Sequence, residues 1–504
     1  MLVTLLGGCM VCSTWAANLM WVLLGANWVL EGRWREKWQM ARASRLLQAY
    51  LLFYVLLMAG MLWTENMGAG WSLLQVKLPL LVVPLVMLTT RPLSGRQRMV
   101  TLVGYVGTVL VVSFISAVRM VTMPELPYRE AVPYISHIRF ALNCCMAIFI
   151  LVAAGVKPVR TWPVVACRWV FALWLLVFLL LIHSYTAMAV LLAVSSVLLV
   201  RAVVRSPRRW PVLMVWVLAV GGAVAMVAHE VHGYYDMVPM AKQPLKEYTA
   251  GGRPYEHACD GAVENGNYIN NYVCREELRA EWQRRSALPY DSLTAGGYNV
   301  ESTLLRYLNA KGLTKDSVGM TAMSETDIDA VERGVANPVY ESNNLLRKMV
   351  YVMLLEREYY IHTRAVSGFT MLQRFELWRA TWHVVREHPW IGVGTGDAVD
   401  AMHAELVSMD SELAGTTKKS HNEYLSLLSM LGFVGMSIIV VMFLRSLVVR
   451  HSTGNTQRSV LMLAWTLTIL ISFLTEDTLD TLAGILFCTW FLAVRQAQRS
   501  TSNT

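Results

Sequence analysis

The stretch Ser420 to Leu444, SHNEYLSLLSMLGFVGMSIIVVMFL, decides what kind of protein this is. It closes a long polar region and then, from Leu427, becomes an apolar run of membrane-crossing type at ~1.5 Å of rise per residue. Runs of this kind recur along the chain. Of 504 residues 55% are hydrophobic and only 16% charged, with a mean hydropathy of +0.42, and the apolar residues are gathered into long blocks. That excludes a soluble globular protein and predicts an all-α polytopic membrane protein. The formal net charge of +9 does not point to nucleic acid. Most of the short loops carrying Arg and Lys alternate with loops that lack them, which is the positive-inside pattern.

Outward from that stretch, Leu2–Leu30 is apolar and ends in the basic residues Arg33, Arg35, Lys37, Arg42 and Arg45. With no clear cleavage site it reads as a membrane anchor in one span or two, with Ser13-Thr14 and Gly25-Ala26-Asn27 as candidate breaks. Further spans are predicted at Leu46–Trp63, Leu73–Thr89, Met99–Val118, Arg139–Val156, Trp169–His183, Thr186–Val200 and Pro211–Val227. After the polar region come Tyr424–Leu444, Ser459–Leu474 and Leu482–Val494, about eleven or twelve spans in all. The basic loops Arg91–Arg98, Lys157–Arg168 and Arg201–Arg209 are placed in the cytoplasm. Alternation then puts Thr64–Trp71, Met123–His137, the long polar insert and the acidic loop Thr475–Asp480 on the other side. The expected organisation is an N-terminal bundle (1–228), an extracytoplasmic domain (229–420), C-terminal spans (421–495) and a cytoplasmic tail (496–504).

The insert reads as mainly helical, with helices at Arg275–Ser286, Ser302–Ala310, Glu325–Gly334, Asn344–Tyr360 and Thr370–His388. Its two cysteines, Cys259 and Cys274, would close a short loop in an oxidising compartment, so a disulfide is expected. A metal site with His257 and Asp260 is the remote alternative.

Three constellations on the outer side have the residue types for chemistry. The first is Ser420-His421-Asn422-Glu423, where serine and glutamate have capping-box spacing and His421 would take the first helical position. There the helix dipole disfavours the imidazolium and leaves a neutral base, while Lys418, Lys419 and the free N–H groups favour an anion. The plain alternative is an interfacial histidine at the start of a span. The second runs from Arg374-Phe375-Glu376-Leu377-Trp378 to His388-Pro389-Trp390-Ile391-Gly392-Val393-Gly394-Thr395-Gly396-Asp397. Arg374 and Trp378, one turn apart, present a phosphate-binding fork beside an aromatic surface, although the tryptophan alone could simply pack on the membrane domain. The glycine series lacks the spacing of a dinucleotide fingerprint and reads as a tight turn with close backbone approach. The third is Tyr134-Ile135-Ser136-His137-Ile138-Arg139, in which an arginine at the outer end of a span calls for a partner or a polar cavity. Lys77 within a span and Glu476, Asp477 and Asp480 in the outer loop are read first as structural pairs. No metal-site, nucleotide-loop or nucleophile-elbow pattern is present.

Taken together, Arg374-x-x-x-Trp378, His388-Pro389-Trp390-Ile391-Gly392-Val393-Gly394, Ser420–Leu425 and Gly432-Phe433-Val434-Gly435 resemble the signature of the O-antigen ligase and polymerase superfamily. The segment Leu304–Val335, with Lys311–Asp316, and the outer Thr475–Leu479 are similar to a Bacteroidota-like branch of it. The resemblance implies an integral-membrane glycosyltransferase of the bacterial inner membrane with a GT-C-like fold. It would move a glycan from undecaprenyl diphosphate at the periplasmic face to an acceptor, either a lipid A-core or, in a polymerase, another carrier-linked repeat unit. No nucleotide sugar, cofactor or metal is implied. His421 matches the histidine that activates the acceptor hydroxyl, and Arg374 an arginine that holds the diphosphate. Lys419, Asn422, Trp378, Tyr185 and His137 are further substrate-binding candidates. Members often carry a second arginine after a serine at the outer start of a middle span. Here Tyr185 follows Ser184, and Arg139 is the expected substitute. A non-catalytic transporter of lipid-linked glycans is the rival from another class, but polar residues would then thread the spans toward the cytoplasm.

Overall fold

The computed structural model describes residues 1–123, 129–153, 161–235, 245–259, 261–363, 366, 369–416, 418–447 and 456–495. The predicted tail 496–504 and Asp260 lie outside these. The chain is an all-α polytopic membrane protein. It divides into two units, Met1–Trp210 with Leu377–Thr504, and Pro211–Glu376.

The first unit is a helical bundle. The Leu2–Leu30 run is broken in two, Leu2–Cys12 and Thr14–Leu30. Extended Ser13 ends the first helix and caps the second, its hydroxyl accepting from the Ala16 N–H at 3.2 Å. Among the described residues of the whole chain, seven helices are long and apolar enough to cross a membrane, and shorter apolar helices cover Leu2–Cys12, His137–Ala153, Ser459–Ser472 and Leu482–Val494. The long helices of this unit include Met67–Thr89, Gly95–Thr122, Trp162–Leu181, Tyr185–Arg205 and Glu423–Leu444.

Lipid tails are as apolar as the helices, so close packing and buried hydrogen bonds hold such a bundle together. Trp490 illustrates both: it stacks on Tyr105 with centroids 5.1 Å apart and donates its indole N–H to the Val3 carbonyl at 2.7 Å. Four packings build the site. Leu482–Trp490 lies against Met67–Thr89, Thr456–Ser472 lies against His137–Ala153 and Tyr185–Arg205, and Glu423–Leu447 lies against Arg45–Ala59. Together they draw Lys77, Arg139 and the Thr475–Asp480 loop toward the residues around His421.

The second unit begins with the apolar helix Trp210–Tyr235 and continues as a small helical domain. Its helices Arg275–Arg285, Val300–Ala310, Glu325–Glu332 and Leu345–Thr363 agree with the predicted ones to within a few residues. Trp282, Val300, Leu304, Leu308, Met320 and Val331 form its core. The sequence pattern missed a short antiparallel hairpin, Val263–Glu264 with Asn267–Tyr268, turned by Asn265 and Gly266 in left-handed conformation.

The expected Cys259–Cys274 disulfide is not formed, and both thiols are free. The Cys274 backbone precedes the Arg275–Arg285 helix, with its N–H tied to the Lys315 carbonyl at 2.8 Å. The Cys259 thiol instead donates to Asn271 Oδ1 at 3.4 Å. His257 is not placed as a ligand either, since its ring nitrogens meet the Lys246 carbonyl (2.9 Å) and the Tyr272 N–H (3.2 Å).

Candidate active site

The predicted capping box at Ser420 is replaced by a different local structure. The helix begins at Glu423, and its cap is Asn422, whose Oδ1 accepts from the Leu425 N–H at 3.1 Å. Ser420 and Glu423 are engaged elsewhere, because the Thr475–Asp480 loop offers them stronger partners. Glu423 Oε2 accepts from the Leu479 N–H at 2.8 Å, and its own N–H donates to the Phe473 carbonyl at 2.9 Å. His421 is therefore outside the helix rather than at its first position. Its φ of 52° is left-handed, a region that costs a residue with a Cβ about 1–2 kcal/mol.

Asp477 holds this conformation. Its Oδ2 accepts from the His421 N–H at 2.8 Å, and its Oδ1 accepts from the hydroxyls of Ser420 (3.1 Å) and Ser426 (2.8 Å). The half-buried His421 imidazole makes no hydrogen bond among the described residues, so its ring nitrogens are open to a substrate. The acidic loop is fixed in turn by Arg139, which is 7% exposed. Its guanidinium reaches Glu476 Oε2 (3.3 Å), the Asp477 carbonyl (2.8 Å) and Thr481 Oγ1 (3.3 Å). Read from sequence as a diphosphate ligand, Arg139 is here a clamp on the loop that holds His421.

A second cation group lies on the same loop. Lys77, 1% exposed within its span, donates to Asp480 Oδ1 (2.8 Å) and the Leu479 carbonyl (3.1 Å) and stands 3.6 Å from Glu423 Oε1. Lys419 takes the other Asp480 oxygen at 2.8 Å. Burial alone would raise the Asp480 carboxyl, but Lys77 and Lys419 more than reverse this and hold it well below the usual carboxylate range. Lys419 is half exposed, and of the two lysines it is the one that reaches the surface.

The glycine series has the predicted role of close backbone approach. The Glu423–Leu447 helix is broken at Gly432, with φ 61° and ψ −173°. Chain from Pro389 to Gly394 fills the break. The Val393 and Gly394 N–H groups donate to the Ser429 and Met430 carbonyls at 2.9 and 3.2 Å, and the Phe433 and Val434 N–H groups donate to the Pro389 and Trp390 carbonyls at 2.7 and 3.1 Å. A Cβ on Gly392 or Gly432 would overlap that opposing backbone. Asp397 then accepts from the Glu65 and Asn66 N–H groups, both at 2.7 Å, which ties the turn to the start of the Met67–Thr89 helix.

Of the remaining candidates, His137 begins the helix that carries Arg139, and Tyr185 is an exposed first residue of its own helix. The next residue, Thr186, meets Thr475 of the acidic loop at 3.2 Å between hydroxyl oxygens. Trp378 and Arg374 lie on the helix Thr370–Glu387, in which the boundary between the two units falls. Trp378 belongs to the first unit and Arg374 to the second. Sequence reasoning left Asp477 as one of several acidic neighbours. A buried Lys77 and Arg139 were signs that the acidic loop turns inward, but no local spacing links residue 477 to residue 421.

Among curated proteins the chain finds no match. The family model described as O-antigen ligase matches residues 341–440. The matched segment takes in the Arg374 helix, the glycine turn, His421 and the helix broken at Gly432. Over these residues the chain is similar to the O-antigen ligase family.

Proposed function

We propose that the protein is a glycosyltransferase of the O-antigen ligase type. It takes a glycan from undecaprenyl diphosphate at the periplasmic face of the bacterial inner membrane and joins it to a lipid A-core acceptor, inverting the anomeric centre without a metal. The observation that carries this reading is His421 within the matched segment, its imidazole without a hydrogen bond among the described residues and its left-handed backbone held by Asp477.

Neutral His421 accepts the proton of the acceptor hydroxyl as that oxygen attacks the anomeric carbon, and the bond to the carrier diphosphate breaks on the opposite face. Asp477 accepts from the His421 backbone N–H and so fixes where the ring stands when it takes the proton. Arg374 and the exposed Lys419 offset the charge developing on the departing diphosphate. Arg139 acts through the loop, as a positioning residue. Asn422, Trp378, Tyr185 and His137 remain contacts for the glycan or its carrier.

The test is transfer by purified protein in nanodiscs, given lipid-linked glycan with either lipid A-core or a second carrier-linked unit. A new covalent product and free carrier diphosphate are expected with the lipid A-core, and His421→Ala should abolish both while the protein stays folded. Product formed only between carrier-linked units would make the enzyme a polymerase. Full activity in His421→Ala would remove the base assignment.

A further inference from the structure

The second unit contains a cavity of about 340 Å³, inside the usual range of small-molecule sites. It lies where the end of the Trp210–Tyr235 helix meets the hairpin and the Leu345–Thr363 helix. Its polar wall includes Glu230, Tyr234, Asn265, Asn337, Arg347 and Tyr351, and Lys311, which also lines it, is paired with Asp327 at 2.6 Å.

Behind that wall sits a dense buried polar network. Glu264, 0% exposed, takes Arg306 Nε at 2.7 Å on one oxygen, and Asn337 Nδ2 at 2.8 Å together with the Tyr351 hydroxyl on the other. Asn309 Nδ2 donates to the Glu264 carbonyl at 2.9 Å, and Asn309 Oδ1 accepts from Lys315 Nζ at 2.8 Å. Burying such groups does little for stability, but a satisfied network fixes the directions of its members, here Asn337 and Tyr351.

Asn265 stands at the front of this network, 4% exposed and left-handed with φ 54°. Its backbone N–H donates to the Tyr234 hydroxyl (3.2 Å) and its Oδ1 accepts from Asn337 (3.1 Å). Its amide nitrogen has no hydrogen-bond partner among the described residues. Arg347 is half exposed, with its Nε 3.8 Å from Glu230 Oε2.

The wall thus mixes amides, phenols, a carboxylate and a guanidinium whose charges offset each other, and a lysine whose charge is offset by Asp327. Such a set does not select an anion, and the open amide does not suit an apolar ligand. Tyr234 and Tyr351 are buried to 5% and 2% exposure, which leaves no broad ring face for a base to stack on. Closely spaced hydroxyl groups, each both donor and acceptor, match the set.

We propose that this cavity is a carbohydrate-binding subsite for one sugar ring of a glycan substrate, with Asn265 and Arg347 as its principal donors. The choice of a glycan rests on the transferase reading; the polar match itself does not involve His421. Full-length protein in nanodiscs would be examined by saturation-transfer NMR with methyl glycosides of hexoses, N-acetylhexosamines and hexuronic acids, and separately with inorganic phosphate and pyrophosphate. Transfer to at least one glycoside is expected. It should weaken at least about tenfold in Asn265→Gly, which keeps the left-handed backbone, and in exposed Arg347→Ala. It should persist in His421→Ala, so loss of catalysis and loss of this subsite are read separately. Absence of any glycoside signal in the wild type, survival of the signal in both cavity variants, or binding of phosphate alone would each overturn the proposal.

Discussion

His421 combines three properties that suit a residue meant to meet a substrate. It is left-handed, its backbone N–H is spent on a carboxylate, and its ring is left open. Asp477→Asn keeps the shape but can no longer serve the His421 N–H and both serine hydroxyls as an acceptor. Turnover should fall between about 10- and 100-fold, the usual effect of removing an orienting partner, with the KM for the lipid-linked donor little changed. Steady-state kinetics across donor concentrations decide it: an equal rise in KM would make Asp477 a donor-binding residue instead. The candidate motif was legible in the sequence as residues. Its conformation was not, because capping-box spacing from Ser420 to Glu423 is a local signal that long-range bonds to Leu479 and Asp477 override.

The acidic Thr475–Asp480 loop is the element on which both cation groups close. Lys77→Met would leave Glu423 and Asp480 with one buried ammonium fewer, and removing one partner of a buried charge group typically costs on the order of 3–5 kcal/mol. Lowered thermal stability in detergent is the expected result, and an additional Glu423→Gln should restore part of it; an unchanged midpoint in the single variant would show the group to be solvated. The broken Glu423–Leu447 helix makes a separate prediction. Gly432 occupies a φ/ψ region open essentially only to glycine, so Gly432→Ala should lose about 1–3 kcal/mol from the backbone alone, besides overlapping Trp390. Chemical denaturation of the folded variant measures this, and its transfer activity shows whether the break also positions His421.

For the whole molecule, the two units answer to different solvents. The first depends on packing within lipid, whereas the second has a water-type hydrophobic core with a fully buried lysine at its edge. Burial pushes Lys315 down to about 7 from 10.5. Between those values the unfolded chain holds the proton and the folded unit does not, so stability rises with pH across the window, by up to about 1.4 kcal/mol per pH unit, and the penalty is constant below it. Lys315→Met removes that slope and one hydrogen bond to Asn309. The variant's gain in melting temperature over the wild type should be greatest near about pH 6 and shrink toward about pH 10, as scanning calorimetry of the full chain would show. A pH-independent difference would mean that Lys315 is already charged in the folded state.

The sequence by itself determined the class of fold, the long apolar helices, the helices of the insert and the close approach demanded by Gly392 and Gly432. These follow from hydrophobic runs and from what a backbone without a Cβ permits, which are local properties. It also brought His421 and Arg374 forward through family resemblance. Only the tertiary structure decided that Ser13 breaks the first run, that Cys259 and Cys274 stay apart, and that Arg139 and Lys77 are held by the acidic loop. It alone joined Asp477 to His421 and Glu264 to Asn337 and Tyr351. In a low-dielectric interior each buried charge or amide takes whichever partner packing brings near, across separations that no spacing rule spans.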